Sequence, residues 1–578
     1  MSDTAPGHDE TRERFEDLNR RIMASVVKPL QLDAWLDGAE IVRALTTSLA
    51  QDSARWQEIQ QRYYHKQLEL WSRFVPTVAG APEAAPQAQP EDRRFSAQEW
   101  RSQPYFQYLV QSYRLAAQWL MEVVESVTLE PHAKRKLEFF ARQLVDAMSP
   151  ANFPWSNPEA LKLAAETGGE SLARGMRHLA ADMAKGMISM TDDMAFEIGR
   201  NLAITPGAVV YANDLIQLIQ YRPATATVFE RPLLMVPPCI NKFYILDLQA
   251  ENSFVRYAVE QGHTVFMVSW RNVPPDMGRI TWDDYLEQGV LRAIEVAAEI
   301  CAVDTVNSLG FCVGGTLLGA AAAVQRAKGP DRIASMTLLA AMLDFCDTGE
   351  LGVFVDESFV HKREQDFAAG GVLPGRELAL TFASLRANDL IWHYVVNNYL
   401  KGRQPPPFDL LYWNADSTNL PGAMYSYYLR NMYLENNLKT PGRLTQCGVP
   451  VDLGKVDAPA YILATREDHI VPWRTAYAST RLLKGRIDFV LAASGHIAGV
   501  INPAWQNRRS YWLNDRLTPD AAAWLDGAAS HPGSWWTHWS TWLARHAGNR
   551  VAAREHPGGR AYREVEAAPG RYVKEKCA

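Results

Sequence analysis

None of the six cysteines (Cys239, Cys301, Cys312, Cys346, Cys447, Cys577) falls in a CxxC pair or at metal-ligand spacing. That absence argues against a disulfide framework and a zinc site, and it fits a reducing compartment where a thiol stays available. Excess positive charge is missing too: 59 Lys and Arg stand against 65 Asp and Glu, a net charge of −6. Neither nucleic acid nor an anionic membrane is therefore expected as a main partner. Long apolar runs are absent. The most apolar stretches, such as residues 317–324, are glycine-broken and far shorter than the ~20 residues a membrane span needs. The opening "MSDTAPGHDETRERFEDLNRR" lacks the apolar core of a secretory signal, so a cytoplasmic location is the expectation. No internal repeat is visible.

What is present is enough for a large core. The chain has 578 residues, 47% of them hydrophobic, which predicts more than one folding unit. Residues 1–195 carry apolar side chains at three- and four-residue spacing and are read as an N-terminal helical domain. An Ala/Pro/Gln-rich segment near 77–94 has little to bury and reads as a flexible linker. From 196 to 578 the texture changes. Short apolar runs ("PLLMVPP", "HTVFMVSW", "TVNSLGF", "SMTLLAA", "PAYILAT", "IDFVLAA") alternate with helical or irregular segments, which predicts a mostly parallel, buried sheet. The Tyr-, Asn- and Trp-rich interval 345–440 is too long for an ordinary connection and is expected to be an inserted cap. Near the C-terminus, "WWTHWSTWL" reads as a helix packing its aromatic face, in preference to a hydrophobic docking patch.

The chemistry begins at "NSLGFCVGG". Gly310-Phe311-Cys312-Val313-Gly314 has the form of a nucleophile elbow, a strained strand-to-helix turn whose glycines let backbones approach closely. The fold class this predicts is the α/β-hydrolase fold, with the inserted cap and the helical N-terminal domain added to it. Cysteine occupies the place where serine usually stands. A buried structural cysteine is the competing reading.

A thiol nucleophile needs a base, and the base an orienting acid, in the chain order nucleophile, acid, histidine. "PAYILATREDHIVPW" supplies Asp468 just past one strand, and "DFVLAASGHIAGVINP" supplies His496 just past the next. His469 and Asp344 are the alternatives. His469 precedes the last strand and points away from its neighbour Asp468 on extended chain; Asp344 is an acid after an earlier strand. The backbone N–H of Val313 and that of Ile240, in "VPPCINKFY", are the candidate oxyanion donors, because Pro237 and Pro238 have none to offer. Cys239 and Asn241 are read as pocket-lining residues, with a second functional thiol near the site as the alternative for Cys239.

Sulfur in place of oxygen has a chemical reason. Exchange of one thioester for another is nearly balanced, so an acyl-cysteine keeps the reactive bond that an acyl-serine would lower to an ordinary ester. Acyl transfer to an alcohol benefits from this more than hydrolysis does.

The motifs "PPCINKFYILDL", "VEQGHTVFMVSWRN", "TWDDYLE", "LGFCVGGTLL", "FDLLYWNADSTNLP", "CGVPVDL", "REDHIVPW" and "ASGHIAGVINP" resemble those of the polyhydroxyalkanoate synthases, bacterial polyester polymerases. The resemblance covers most of residues 100–515, and "GFCVGG" with the chain length resembles class I, which prefers short-chain (R)-3-hydroxyacyl-CoA. It implies that Cys312, Asp468 and His496 are catalytic, and that coenzyme A is a leaving group with no metal or redox cofactor. It also implies a homodimer associated with a polyester granule. A thiol-dependent esterase and a non-catalytic granule-surface protein are the alternative functions. The first 95 residues match weakly.

Overall fold

The computed structural model describes residues 46–47, 52–78 and 92–577. Most of the linker expected near 77–94, and nearly all of the helical reading before residue 52, lie outside the described residues. The chain divides into two compact units, Met1–Asp192 with Leu380–Pro406, and Asp193–Ala379 with Pro407–Ala578.

The first unit is helical, with principal helices α1 (Ser53–Val78), α2 (Pro104–Ser126), α3 (Pro131–Ala147) and α4 (Glu170–Lys185). Pro104 and Pro131 open α2 and α3, where a missing N–H costs no helical bond. The Glu130 carboxylate caps α3 by accepting the N–H groups of His132 and Ala133. Tyr63 of α1 packs against Trp119 of α2 with ring centroids 5.4 Å apart. Part of the interval expected to form the cap folds here. Ile391, Val395, Tyr399 and Leu400 are buried in one cluster with Leu179 of α4, and the Tyr399 hydroxyl donates to the buried Asp182 at 2.8 Å. Those four residues fall at helical spacing, so their apolar stripe needs a partner face.

The second unit is built on one sheet of eleven strands: β1 (Gly207–Ala212), β2 (Ile216–Tyr221), β3 (Leu233–Val236), β4 (Val265–Trp270), β5 (Val306–Phe311), β6 (Ile333–Leu339), β7 (Ala460–Thr465), β8 (Ile487–Ala492), β9 (Ser510–Leu513), β10 (Ala529–Pro532) and β11 (Glu566–Ala567). Their spatial order is β10-β9-β8-β7-β6-β5-β3-β4-β2-β1-β11. The run from β4 through β3, β5, β6 and β7 to β8 is parallel, and both flanks are antiparallel.

Successive residues of the central strands serve different cores. In β3, Leu233 and Met235 face the core that holds α5 (Phe254–Glu260), whereas Leu234 and Val236 face the core of α6 (Arg292–Cys301) and α7 (Val313–Lys328). That is the period of two of a strand buried on both faces, and it explains why these runs read as continuous apolar stretches.

Two more helices bear on the site, α8 (His496–Val500) and α9 (Trp536–Ala544). The tryptophan cluster packs inward: Trp535, Trp536, Trp539 and Trp542 are each 3% exposed or less. Every indole N–H has a partner, Gly499 O at 3.0 Å, Val500 O at 2.9 Å, Thr337 Oγ1 at 3.1 Å and Asp488 Oδ2 at 2.9 Å, respectively. Trp535 and Trp536 thereby fix the two carbonyls at the end of α8.

Candidate active site

Strand β5 is buried throughout and stops at Cys312, which adopts φ 52° and ψ −127° before α7 begins. A side-chain-bearing residue takes a positive φ only when its surroundings hold it there. The Cys312 N–H donates to Leu339 O at the end of β6 (2.9 Å), and the Cys312 carbonyl accepts from the Gly315 N–H (2.8 Å). The flanking glycines are required by contact. A Cβ on Gly310 would stand 2.5 Å from the Gly315 Cα, and one on Gly314 would stand 2.2 Å from the Val236 oxygen. The turn therefore draws the start of α7 directly onto the end of β3.

Asp468 lies on the loop after β7 and His496 is the first residue of α8, after β8. Parallel neighbours deliver both groups to the same sheet edge as Cys312, because strand C-termini align there. His496 Nδ1 and Asp468 Oδ2 are 2.7 Å apart, with the carboxylate fully buried and the imidazole 5% exposed. Three further donors hold the carboxylate: the N–H groups of Ile470 and Val471 at 2.9 Å each, and Thr465 Oγ1 at 2.9 Å. Burial alone would raise the Asp468 pKa; the adjacent His496 and these N–H groups outweigh it and hold the carboxyl below its usual range. Burial alone would also discharge His496. Asp468 and the nearby Cys312 outweigh it and push the pKa up to about 10. With Nδ1 committed to Asp468, Nε2 is the nitrogen left for the thiol. Phe311 stacks on the imidazole at 5.5 Å and limits its rotation.

The alternatives sit elsewhere. Asp344 Oδ1 accepts from the Cys346 N–H at 2.9 Å and from Asn436 Nδ2 at 2.7 Å. The carboxylate of Asp468 is hydrogen-bonded to His496.

Val313 is the first residue of α7, so its N–H has no acceptor within the helix. Ile240 lies on the loop after β3, whose beginning abuts Gly314. Cys239 is buried, and burial, reinforced by its proximity to Cys312, pushes its thiol up to about 12. It stays protonated. Asn241 points its amide at the carbonyls of Trp413 (3.5 Å) and Asn414 (3.4 Å), tying the loop to the 413–418 segment.

Sequence reasoning passed over Tyr428 and Tyr433. Their rings meet edge-on at 5.3 Å, and burial raises both phenol pKa values, with Cys312 close enough to add to the shift. They belong to "YSYYLRNMY", where the one signal was aromatic density. Among the described residues no group of three or more His, Cys, Asp or Glu could hold a metal ion, and no helix is long and apolar enough to cross a membrane.

Comparison with known proteins adds two family matches. Residues 91–258 match the poly-beta-hydroxybutyrate polymerase (PhaC) N-terminus, and residues 232–503 match the alpha/beta hydrolase fold. The chain is 53% identical over 525 residues to the poly(3-hydroxyalkanoate) polymerase subunit PhaC of Cupriavidus necator, covering 90% of this chain and 88% of that one. It is 41% identical to the subunit of the same name from Rhizobium meliloti, covering 93% and 89% of the two chains. It is likewise 41% identical to the poly(3-hydroxyalkanoate) polymerase of Methylorubrum extorquens, covering 94% and 92%.

Proposed function

This chain belongs to the poly(3-hydroxyalkanoate) polymerase family, and we propose that it polymerises short-chain (R)-3-hydroxyacyl-CoA through an acyl link on Cys312. The observation that carries this reading is one imidazole bonded to a buried carboxylate and lying close enough to the elbow thiol to feel its charge.

The cycle follows from that arrangement. His496 Nε2 takes the thiol proton, and the sulfur attacks the thioester carbonyl carbon. The developing oxyanion is held by the N–H groups of Val313 and Ile240. The carbon–sulfur bond to coenzyme A breaks, and the leaving thiolate takes the proton back from His496. In the second half His496 removes the proton from the 3-hydroxyl of another unit. That oxygen attacks the acyl-cysteine, an ester forms, and the Cys312 sulfur leaves as thiolate and takes the proton back from His496. Asp468 keeps Nδ1 protonated throughout, so that Nε2 is the basic nitrogen. Tyr428 and Tyr433, with Cys239, give the thiol a dry surround, which disfavours water as the acceptor. A homodimer, attachment to a polyester granule and a cytoplasmic location belong to the same proposal.

Supplying (R)-3-hydroxybutyryl-CoA while following free thiol and turbidity together tests it. Thiol release with rising turbidity is expected. Thiol release in a solution that stays clear would make the chain a hydrolase, and neither signal would leave a granule-surface role.

A further inference from the structure

The loop that carries Ile240 is held by an unusual number of bonds from the 413–418 segment and from residues 573–577. Thr418 Oγ1 donates to the Cys239 carbonyl at 2.6 Å, and the Thr418 N–H to the Ile240 carbonyl at 2.9 Å. Trp413 Nε1 donates to the Lys242 carbonyl at 2.7 Å. Beneath them lies a buried charge cluster. The side chains of Lys242 and Asp416 are 1% and 3% exposed and sit 3.5 Å apart. Asp416 also receives the Tyr244 hydroxyl at 2.9 Å and Lys576 Nζ at 3.1 Å. Lys242 Nζ donates to the carbonyls of Val573 (2.9 Å) and Glu575. The catalytic cycle uses none of these groups, and burying a charged pair is costly unless its geometry does something.

The peptide plane says what it does. In a trans peptide the C=O of one residue and the N–H of the next lie in one plane and point in opposite directions. A bond from Thr418 to the Cys239 carbonyl therefore fixes the direction of the Ile240 N–H. We propose that Thr418, held in place by the Lys242–Asp416–Lys576 cluster, is a positioning residue that aims the Ile240 N–H at the oxyanion. The 413–418 segment and residues 573–577 thereby become part of the machinery that sets the rate, although none of them reaches the reacting atoms. The inference rests on the reading that Cys312 is the nucleophile and Ile240 a donor.

The test uses the full chain with 3-hydroxybutyryl-CoA, alongside alkylation of Cys312 by iodoacetamide. Alkylation needs the His496-activated thiol but forms no oxyanion. Thr418→Val should lower kcat by about 10- to 100-fold, with KM nearly unchanged and alkylation at the wild-type rate. Thr418→Ser, which restores the hydroxyl, should recover most of the loss. Lys576→Met removes a half-exposed charge without stranding Lys242. It should give a smaller fall in kcat with the same unchanged alkylation, and it serves if the Thr418 variant folds poorly. Wild-type kcat in both Thr418→Val and Lys576→Met, or alkylation slowing in step with turnover, would overturn the proposal. Failure of the parent reading is distinguishable: Cys312→Ala would then still release coenzyme A.

Discussion

The elbow end of the sheet and the outer face of α1 are built on opposite terms. At the elbow the key groups are tied down: the Asp468 carboxylate has four hydrogen-bond donors, and the Cys312 backbone is pinned at its N–H and its carbonyl. Along α1, Tyr64, Leu68 and Trp71 are 58%, 67% and 57% exposed, at the spacing of one helical face. One region spends its residues on fixing a geometry, the other leaves apolar surface facing water. The contrast teaches where single substitutions should matter, and by how much.

The largest effect belongs to the thiol. Cys312→Ser should keep the fold and lose roughly a thousandfold or more of polymerising turnover, since the effects of removing a nucleophile are of that order. Turnover near wild type, measured as thiol release, would remove Cys312 from its role. Next comes the division of labour between base and acid. His496→Ala should abolish acylation, whereas Asp468→Asn should leave measurable single-turnover release of coenzyme A and impair elongation more. Thiols ionise more readily than hydroxyls, so the alcohol step leans harder on an oriented base. Equal loss of the single-turnover burst in both variants would contradict this.

A pH profile probes the same buried pair without chemistry. His496 has its pKa raised from 6.5 to about 10 in the folded protein. A raised pKa means the folded state binds the proton more tightly, so the stabilisation is complete below pH 6.5 and is lost as pH rises towards 10. Melting temperatures of the wild type should therefore fall across that window relative to His496→Gln. Parallel curves would show that the pair adds nothing to folding.

Much of the elbow was legible because its signals are local. A glycine two residues either side of Cys312 reports a close backbone approach, and Asp468 and His496 each follow an apolar run that could only be a buried strand. The tryptophan helix was legible for a similar reason, since four indoles within eight residues demand a core. Thr418, Lys242 and Asp416 were not, because their partnership joins residues more than 170 positions apart and no spacing rule reaches that far. The interval 345–440 read as one block by composition, yet the apolar stripe through Ile391, Val395 and Tyr399 belongs with α4. Composition reports what a segment can bury, and leaves open which surface it will bury against.

The smallest effect on chemistry is expected on α1, and it sharpens the comparison because a second readout should move. Tyr64→Ser with Leu68→Ser replaces two exposed apolar side chains, and exposed positions away from buried partners usually change stability by less than about 0.5 kcal/mol. Turnover of soluble 3-hydroxybutyryl-CoA should stay within about twofold, and the melting curve should barely shift. Attachment to a polyester surface depends on apolar area removed from water, at about 25 cal/mol per Å². Loss of these two side chains should therefore weaken co-sedimentation with polyester particles several-fold while leaving Cys312 as reactive as before. Co-sedimentation unchanged alongside unchanged turnover would mean that this face of α1 is not the adhesive surface. A fall in turnover matching the fall in attachment would mean that the helical unit and the elbow are not as separate in function as their construction implies.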